Sequence, residues 1–258
     1  MNITTYLDRI AYIGSLAPCL ATLQGLQQAH LRSVAFENLS IQAGEAIVLE
    51  PAALFRKIVE QRRGGFCYEL NGLFAALLVA LGFKLDRLAA NVCGQGGHFG
   101  PDFDHLCLLV HLEDEDYLVD VGFGDSFQQP LRLNELGEQI QAEKCYQILA
   151  SEDGHYTLHE RPADSPAAEA KPQYRFRLTP HDLAAFEPMC RYHQTSADSH
   201  FTQKRICSMA TPQGRVSLSE LRLIVSRQKS GNGERIETAL ASEAEFAAAL
   251  RHHFGITL

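Results

Sequence analysis

Residues 62–74 read RRGGFCYELNGLF, and the assignment of the remaining chain depends on them. Gly64 and Gly65 permit a tight backbone turn, Phe66 follows, and Cys67 stands where a strongly apolar helical stretch begins. From Glu69 onward Leu70, Leu73, Phe74, Leu77, Leu78 and Leu81 recur at helical spacing, and Gly82 supplies a C-terminal stop. Cys67 is therefore expected in the first turn of a buried helix. Unpaired N–H groups and the positive end of the dipole favour an anion there, which lowers a thiol toward the thiolate, the form that attacks carbonyl carbon. Free cysteines are also common as inert core packing, so the partners decide between the two readings.

The chain has 258 residues, enough for one large domain or two to three small ones, and its 46% hydrophobic and 21% charged residues are those of an ordinary globular protein. Seven cysteines stand singly, with no CxxC pair, which points to a reducing compartment. The amino terminus MNITTYLDRIAYIG has no secretory pattern, and the longest apolar run, 73–83, is well short of the roughly 20 residues a membrane helix needs. A soluble cytoplasmic protein with no membrane partner is the expectation. The net charge of -8 argues against nucleic acid as a partner. From His200 onward, however, eight Lys or Arg outnumber five Glu, a surplus that would draw a small phosphate-bearing ligand if it is more than a set of solvated faces.

The order of elements reads as helices, then strands, then a small mixed unit. Leu20, Leu23, Leu31 and Val34 flank one helix, and Pro51 opens another with Leu54/Ile58 and Phe55/Val59 four apart; Phe36-Glu37-Asn38-Leu39 between them has no assignment. After Gly82 short strands are expected at 85–92, 105–112, 117–121, 144–150, 155–159 and 174–178, with a glycine-rich loop at 94–104 and a Pro/Ala-rich connection at 161–172. Such strands suggest an antiparallel barrel or sandwich. Thr179 and Pro180 read as cap and first residue of a helix ending near His193. Strands near 204–209, 216–218, 221–227 and 235–240 precede a last helix in which Ser242 and Glu245 form a capping box and Phe246, Leu250 and Phe254 share a face.

A thiol nucleophile needs a base and an acceptor that orients the base. His105 opens the apolar strand HLCLLV, a position at a strand end that can meet a cavity. Asp120 sits inside YLVDVGFG, and a carboxylate buried there needs a partner. The loop 113–116 joins the two strands as a hairpin, which can make His105 and Asp120 neighbours. Asp120 would then hold one ring nitrogen while the other faces Cys67. Separately, each has a plainer reading: a strand-end histidine, and a carboxylate capping N–H groups of the following glycine turn. Metal chemistry has little support, since HExxH and clustered Cys/His are missing and His252-His253 point to different helix sides; GxGxxG and P-loop motifs are also missing.

These residues resemble the arylamine N-acetyltransferase family. The likeness rests on RRGGFCYELNGLF around Cys67, DHLCLLV with His105, YLVDVGFG with Asp120 and FENL at 36–39, with 38 residues from Cys to His and 15 more to Asp, and it extends over nearly the whole chain. It implies an α+β fold with a core like that of cysteine proteases and transglutaminases. A helical bundle (1–83) would carry the nucleophile, followed by an antiparallel β-barrel domain ending in an interdomain helix (84–192) and an α/β lid (193–258). It implies Cys67 as the acetyl-accepting nucleophile, His105 as base and Asp120 as its orienter, and a ping-pong reaction between acetyl-CoA and an aromatic amine or hydrazine. Acetyl-CoA is then a substrate, no cofactor is permanently bound, and a homodimer is kept open as an assembly. Phe36, Phe123 and Phe127 resemble the aromatic lining for the arylamine, and Phe201 and Thr202, in TSADSHFT, resemble positions lining the CoA cleft. Ala197 stands where the family pattern has a proline.

Three other functions use the same residues. An amide synthase would draw its acyl group from a carrier-bound thioester, and a cysteine hydrolase or transglutaminase-like enzyme would differ in the fate of the acyl group. A binding protein with a vestigial site would show a thiol no more reactive than free cysteine.

Overall fold

The computed structural model describes residues 1–113, 115–227 and 233–258. Asp114 of the 113–116 loop and Lys229 of the basic C-terminal region lie outside the described residues. Helices α1 (Ile3–Arg9), α2 (Leu20–Ser33), α3 (Leu39–Gln42), α4 (Pro51–Phe55) and α5 (Cys67–Ala80) form the first part, with the two-residue strand β1 (Phe36–Glu37) between α2 and α3. Eleven residues of α5 are buried, because the helix is apolar on nearly every side, and it is the central rod of the first core. The helix opened by Pro51 widens into a π-turn over Arg56–Glu60, where the Arg9 guanidinium donates to the Ile58 carbonyl at 3.0 Å.

An eight-stranded antiparallel sheet follows, made of β2 (Lys84–Val92), β3 (His105–Leu112), β4 (Glu115–Val119), β5 (Leu131–Arg132), β6 (Gln139–Gln141), β7 (Lys144–Ala150), β8 (Tyr156–Pro162) and β9 (Lys171–Pro180). Its order is β5-β4-β3-β2-β9-β8-β7-β6. The edge strands β5 and β6 are bridged by glutamine side chains, which closes the sheet toward a barrel. The Gln139 amide accepts from Arg132 N–H at 2.8 Å and donates to Arg132 C=O at 2.9 Å, imitating a backbone pair. The Gln141 amide likewise accepts from the N–H groups of Gln128 and Gln129 and donates to the Gln129 carbonyl. Neither short strand has an apolar alternation long enough to be read in advance.

Strand β3 is buried on both faces. Leu106, Leu108 and Val110 face the helical core, whereas Cys107 and Leu109 face the barrel interior with Tyr174, Phe176 and Phe127. The strand expected at 117–121 ends at Val119, so Asp120 begins the following turn. Thr179 and Pro180 belong to the end of β9, not to a helix start: Pro180 pairs with Leu88, and Asp182 precedes a 3-10 turn (Leu183–Phe186) that leads into α6 (Glu187–Thr195). The proline that opens α6 is Pro188.

Short helix α7 (His200–Gln203) precedes β10 (Ile206–Thr211), β11 (Gly214–Ser219), β12 (Arg222–Arg227) and β13 (Glu234–Ala239), and α8 (Glu243–Phe254) covers their sheet with Phe246, Leu250 and Phe254. The expected capping box is half made. Ser242 accepts from Glu245 N–H, but the Glu245 carboxylate reaches back to Ala241 N–H. The sheet order β1-β10-β11-β12-β13 makes Phe36–Glu37, unassigned in the sequence, the inner edge strand of this unit.

Candidate active site

The loop before Cys67 is built by Glu37. Its Oε1 accepts from Arg63 Nε at 3.1 Å and Gly64 N–H at 3.2 Å, and its Oε2 accepts from Leu39 N–H at 2.6 Å. The two glycines are required by space, not by turn conformation: the left-handed residue is Arg62, at φ 54°. A Cβ on Gly64 would stand 2.1 Å from the Ala35 carbonyl oxygen, and one on Gly65 would strike the Glu69 carboxylate. That carboxylate accepts from Phe66 N–H at 3.1 Å and so closes the start of α5. The expected loop is present, but for a different physical reason.

Cys67 is 3% exposed and lines a cavity of ≈ 260 Å³ with Phe36, Val92, Asp104, His105 and Phe123, among others. His105 Nε2 meets Asp120 Oδ2 at 2.7 Å, both groups being buried. Asp120 is saturated: Oδ2 also accepts from Tyr174 OH at 3.2 Å, and Oδ1 accepts from Asn71 Nδ2 and Gly122 N–H, each at 2.8 Å. Holding the His105 ring and capping the glycine turn are thus one arrangement, not alternatives. Nε2–H donated to Asp120 leaves Nδ1 as the imidazole nitrogen that can take a proton. Gly122 lets the turn lie directly on the start of α5, since a Cβ there would be 2.7 Å from Cys67 Cα.

Two members of the site carried no clear signal in the sequence. Asn71, one helical turn after Cys67, donates to Leu106 C=O at 2.7 Å as well as to Asp120, and accepts from Val121 N–H at 2.9 Å. It joins α5, β3 and the turn after β4. A polar residue on a wholly buried helix face was the available sign. Tyr174, besides its bond to Asp120, packs against His105 and Phe123 at ring separations of 5.1 and 4.9 Å.

The helix start does not lower the Cys67 thiol as expected. Burial pushes it well above the ordinary thiol value, Cys190, Asp120 and Asp104 act in the same direction, and the Leu106 backbone opposes them.

Of the aromatic positions, Phe36, Phe123 and Phe201 line the cavity. Phe127 lies inside the barrel, 5.9 Å from the Tyr146 ring and away from that lining. The Thr202 hydroxyl donates to Ser196 and Ser199 carbonyls at 2.8 Å and shapes the α7 turn. His200, not singled out in the sequence, does line it; burial and the neighbouring His193 hold its imidazole below the usual histidine range. A larger concavity of ≈ 570 Å³ holds Cys19 and His111. There the thiol meets Thr22, and both nitrogens of the His111 imidazole are taken by Asp116 and Asp86.

Comparison with known proteins agrees with this geometry. Residues 19–258 match the family model described as N-acetyltransferase. The chain is 34% identical over 276 residues to the chicken (Gallus gallus) arylamine N-acetyltransferase, pineal gland isozyme NAT-3, covering all of this chain and 95% of that protein. It is 35% identical to the arylamine N-acetyltransferase of Mycolicibacterium smegmatis, covering all of this chain and 93% of that one. Its fold matches the Mycobacterium tuberculosis arylamine N-acetyltransferase at a TM-score of 0.88, with 32% identity and coverage of 99% and 94%. The Mycobacterium marinum arylamine N-acetyltransferase in complex with CoA also matches at 0.88, with 31% identity and coverage of 99% and 93%. Carrying their fold and matching their sequences from end to end, the chain belongs to the arylamine N-acetyltransferase family.

Proposed function

We propose that the protein transfers the acetyl group of acetyl-CoA to an arylamine or arylhydrazine through an acetyl-Cys67 intermediate. The observation that carries this reading is the buried His105–Asp120 pair on the cavity that holds Cys67. Because burial disfavours an isolated thiolate, the proton of Cys67 Sγ passes to His105 Nδ1 as sulfur attacks the acetyl carbonyl, and Asp120 stabilises the imidazolium. The carbon–sulfur bond to CoA breaks, and the imidazolium returns its proton to the departing CoA sulfur. The amine nitrogen then attacks acetyl-Cys67, His105 takes the amine proton, and the amide leaves as the Cys67–carbon bond breaks. Backbone N–H groups at the start of α5, that of Cys67 included, would hold the oxyanion in this reading.

The apolar lining of Phe36, Val92, Phe123, Phe201 and Ile206 suits an aromatic acceptor and disfavours water as the competing nucleophile. Intact-protein mass after brief exposure to acetyl-CoA tests the reading. Wild type should gain one acetyl group that an aniline discharges, and Cys67→Ala should gain none. An adduct on both proteins, or none on either with CoA bound, overturns it.

A further inference from the structure

A second acid–imidazole–hydroxyl chain lies beside the first. His193 on α6, 4% exposed, places Nε2 at 3.1 Å from Asp104 Oδ1 and Nδ1 at 3.0 Å from Ser199 Oγ. Ser199 Oγ also accepts from Phe201 N–H at 3.3 Å; a neutral His193 that donates Nε2–H to the Asp104 carboxylate has Nδ1 left to accept from the Ser199 hydroxyl. The order of groups is that of a serine nucleophile with its base, but the function is different. Ser199 is 3% exposed and its oxygen is engaged at the start of α7, so it is held as a clamp and not presented for attack.

What the clamp joins is the wall of the catalytic cavity. Asp104 is the neighbour of His105 and lines the cavity with Cys67; Phe201 and His200, just beyond Ser199, line it as well. Phe201 stands edge-on to the His193 ring at 5.2 Å, and Tyr68, next to Cys67, donates to the carbonyls of Phe103 and Asp104 at 2.7 and 3.1 Å. The other Asp104 oxygen packs against Gly100, where a Cβ would lie 2.6 Å from it. Both carboxylate oxygens are thereby aimed at His193 and Gly100.

We propose that Ser199, His193 and Asp104 form a positioning relay that pins the α6–α7 wall of the cavity and turns the Asp104 carboxylate away from Cys67. It rests on the reading of Cys67 as nucleophile and adds a further carboxylate-bearing position to its control. The titratable groups around Cys67 are Asp104 just before β3, His105 at its start, Asp120 after β4, Cys190 on α6 and Tyr68 on its own helix; those around Asp104 are His193 on α6 and His200 on α7. Without His193 the Asp104 charge is free to swing toward the sulfur and oppose thiolate formation.

The test is the pH profile of Cys67 alkylation by iodoacetamide, followed by peptide mass so that the other six cysteines do not interfere. His193→Leu should move the midpoint up by about one pH unit. His193→Gln, which can make both hydrogen bonds, should stay near wild type, and adding Asp104→Asn to His193→Leu should bring the midpoint back to wild type or below. Asp104→Asn alone, whose amide oxygen still accepts from His193, should stay near wild type because the relay already holds that charge off the sulfur, and His193→Ala takes the place of His193→Leu should the leucine variant fail to fold. A His193→Leu profile superimposable on wild type, or a shift that Asp104→Asn does not bring back, overturns the proposal. Alkylation requires no acetyl-CoA, so failure of the acetyl-transfer reading would be seen separately, in the acetylation of wild type and Cys67→Ala.

Discussion

Asn71 is the residue on which the site's geometry converges. One side chain satisfies a strand carbonyl, a turn N–H and an oxygen of Asp120. Each buried group left unpaired costs about 1–3 kcal/mol. Asn71→Ala should therefore lower the unfolding midpoint and, because Asp120 loses one of its donors, reduce kcat by about ten-fold or more while KM changes little. Steady-state kinetics with parallel thermal melts check this; unchanged kcat in a destabilised variant would assign Asn71 to folding alone. Cys67, His105 and Asp120 were legible because each is a chemical group out of place in an apolar pattern. Asn71 is equally out of place, but its partners lie 35 to 50 residues away, and nothing local names them.

Among the elements, β3 is the strand between two cores, and its far end is tied down by a separate device. His111 Nδ1 meets Asp116 of β4 at 2.6 Å and Nε2 meets Asp86 of β2 at 3.1 Å. Partial burial pulls the imidazole down, but the hydrogen bonds and charges of Asp116 and Asp86 outweigh it, and the net effect is a raised pKa. A raised folded-state pKa means stability that is fully present below the unfolded value, near 6.5, and lost as pH rises through the folded value. His111→Gln should thus be less stable than wild type at about pH 5 to 6 and nearly equal at about pH 9, by under about 1 kcal/mol since the pair is solvent-screened. Urea midpoints across that range read the effect, and a difference that grows with pH would refute it. The hairpin β3–β4 was legible from its apolar strands, as was the buried α5. Strands β5 and β6 were not, because their closure uses glutamine side chains instead of a patterned backbone.

Across the whole molecule, Asn38 fastens the last unit to the first. Its Nδ2 donates to Phe201 C=O at 2.8 Å and Lys204 C=O at 2.7 Å, and its Oδ1 accepts from Ile206 N–H at 2.7 Å. Beside it β1 pairs with β10, and Phe36 reaches the cavity. Asn38→Ala should speed amide exchange over residues 201–208 and raise KM for acetyl-CoA several-fold while acetylation of Cys67 at saturating donor persists. Exchange unchanged in that segment would mean the β1–β10 pairing alone holds the unit. Each residue of FENL thus has its own part: Phe36 walls the cavity, Glu37 anchors the loop, Asn38 latches the last unit and Leu39 packs in its core.

The helix that presents Cys67, the hairpin that pairs His105 with Asp120 and the family were all legible before any fold was in view. Those features are written in local periodicity, in polar residues set within apolar runs and in long specific motifs. The folded chain was needed to establish that the two glycines serve close packing and that burial raises the thiol. It was needed as well to place Phe127 inside the barrel and His200 on the cavity. The second relay also belongs to the fold, since Asp104 and His193 are 89 residues apart in the chain. One cause is common to all of these. Steric clearance, desolvation and the direction of a side chain are properties of what surrounds a residue, and those surroundings are assembled from distant segments.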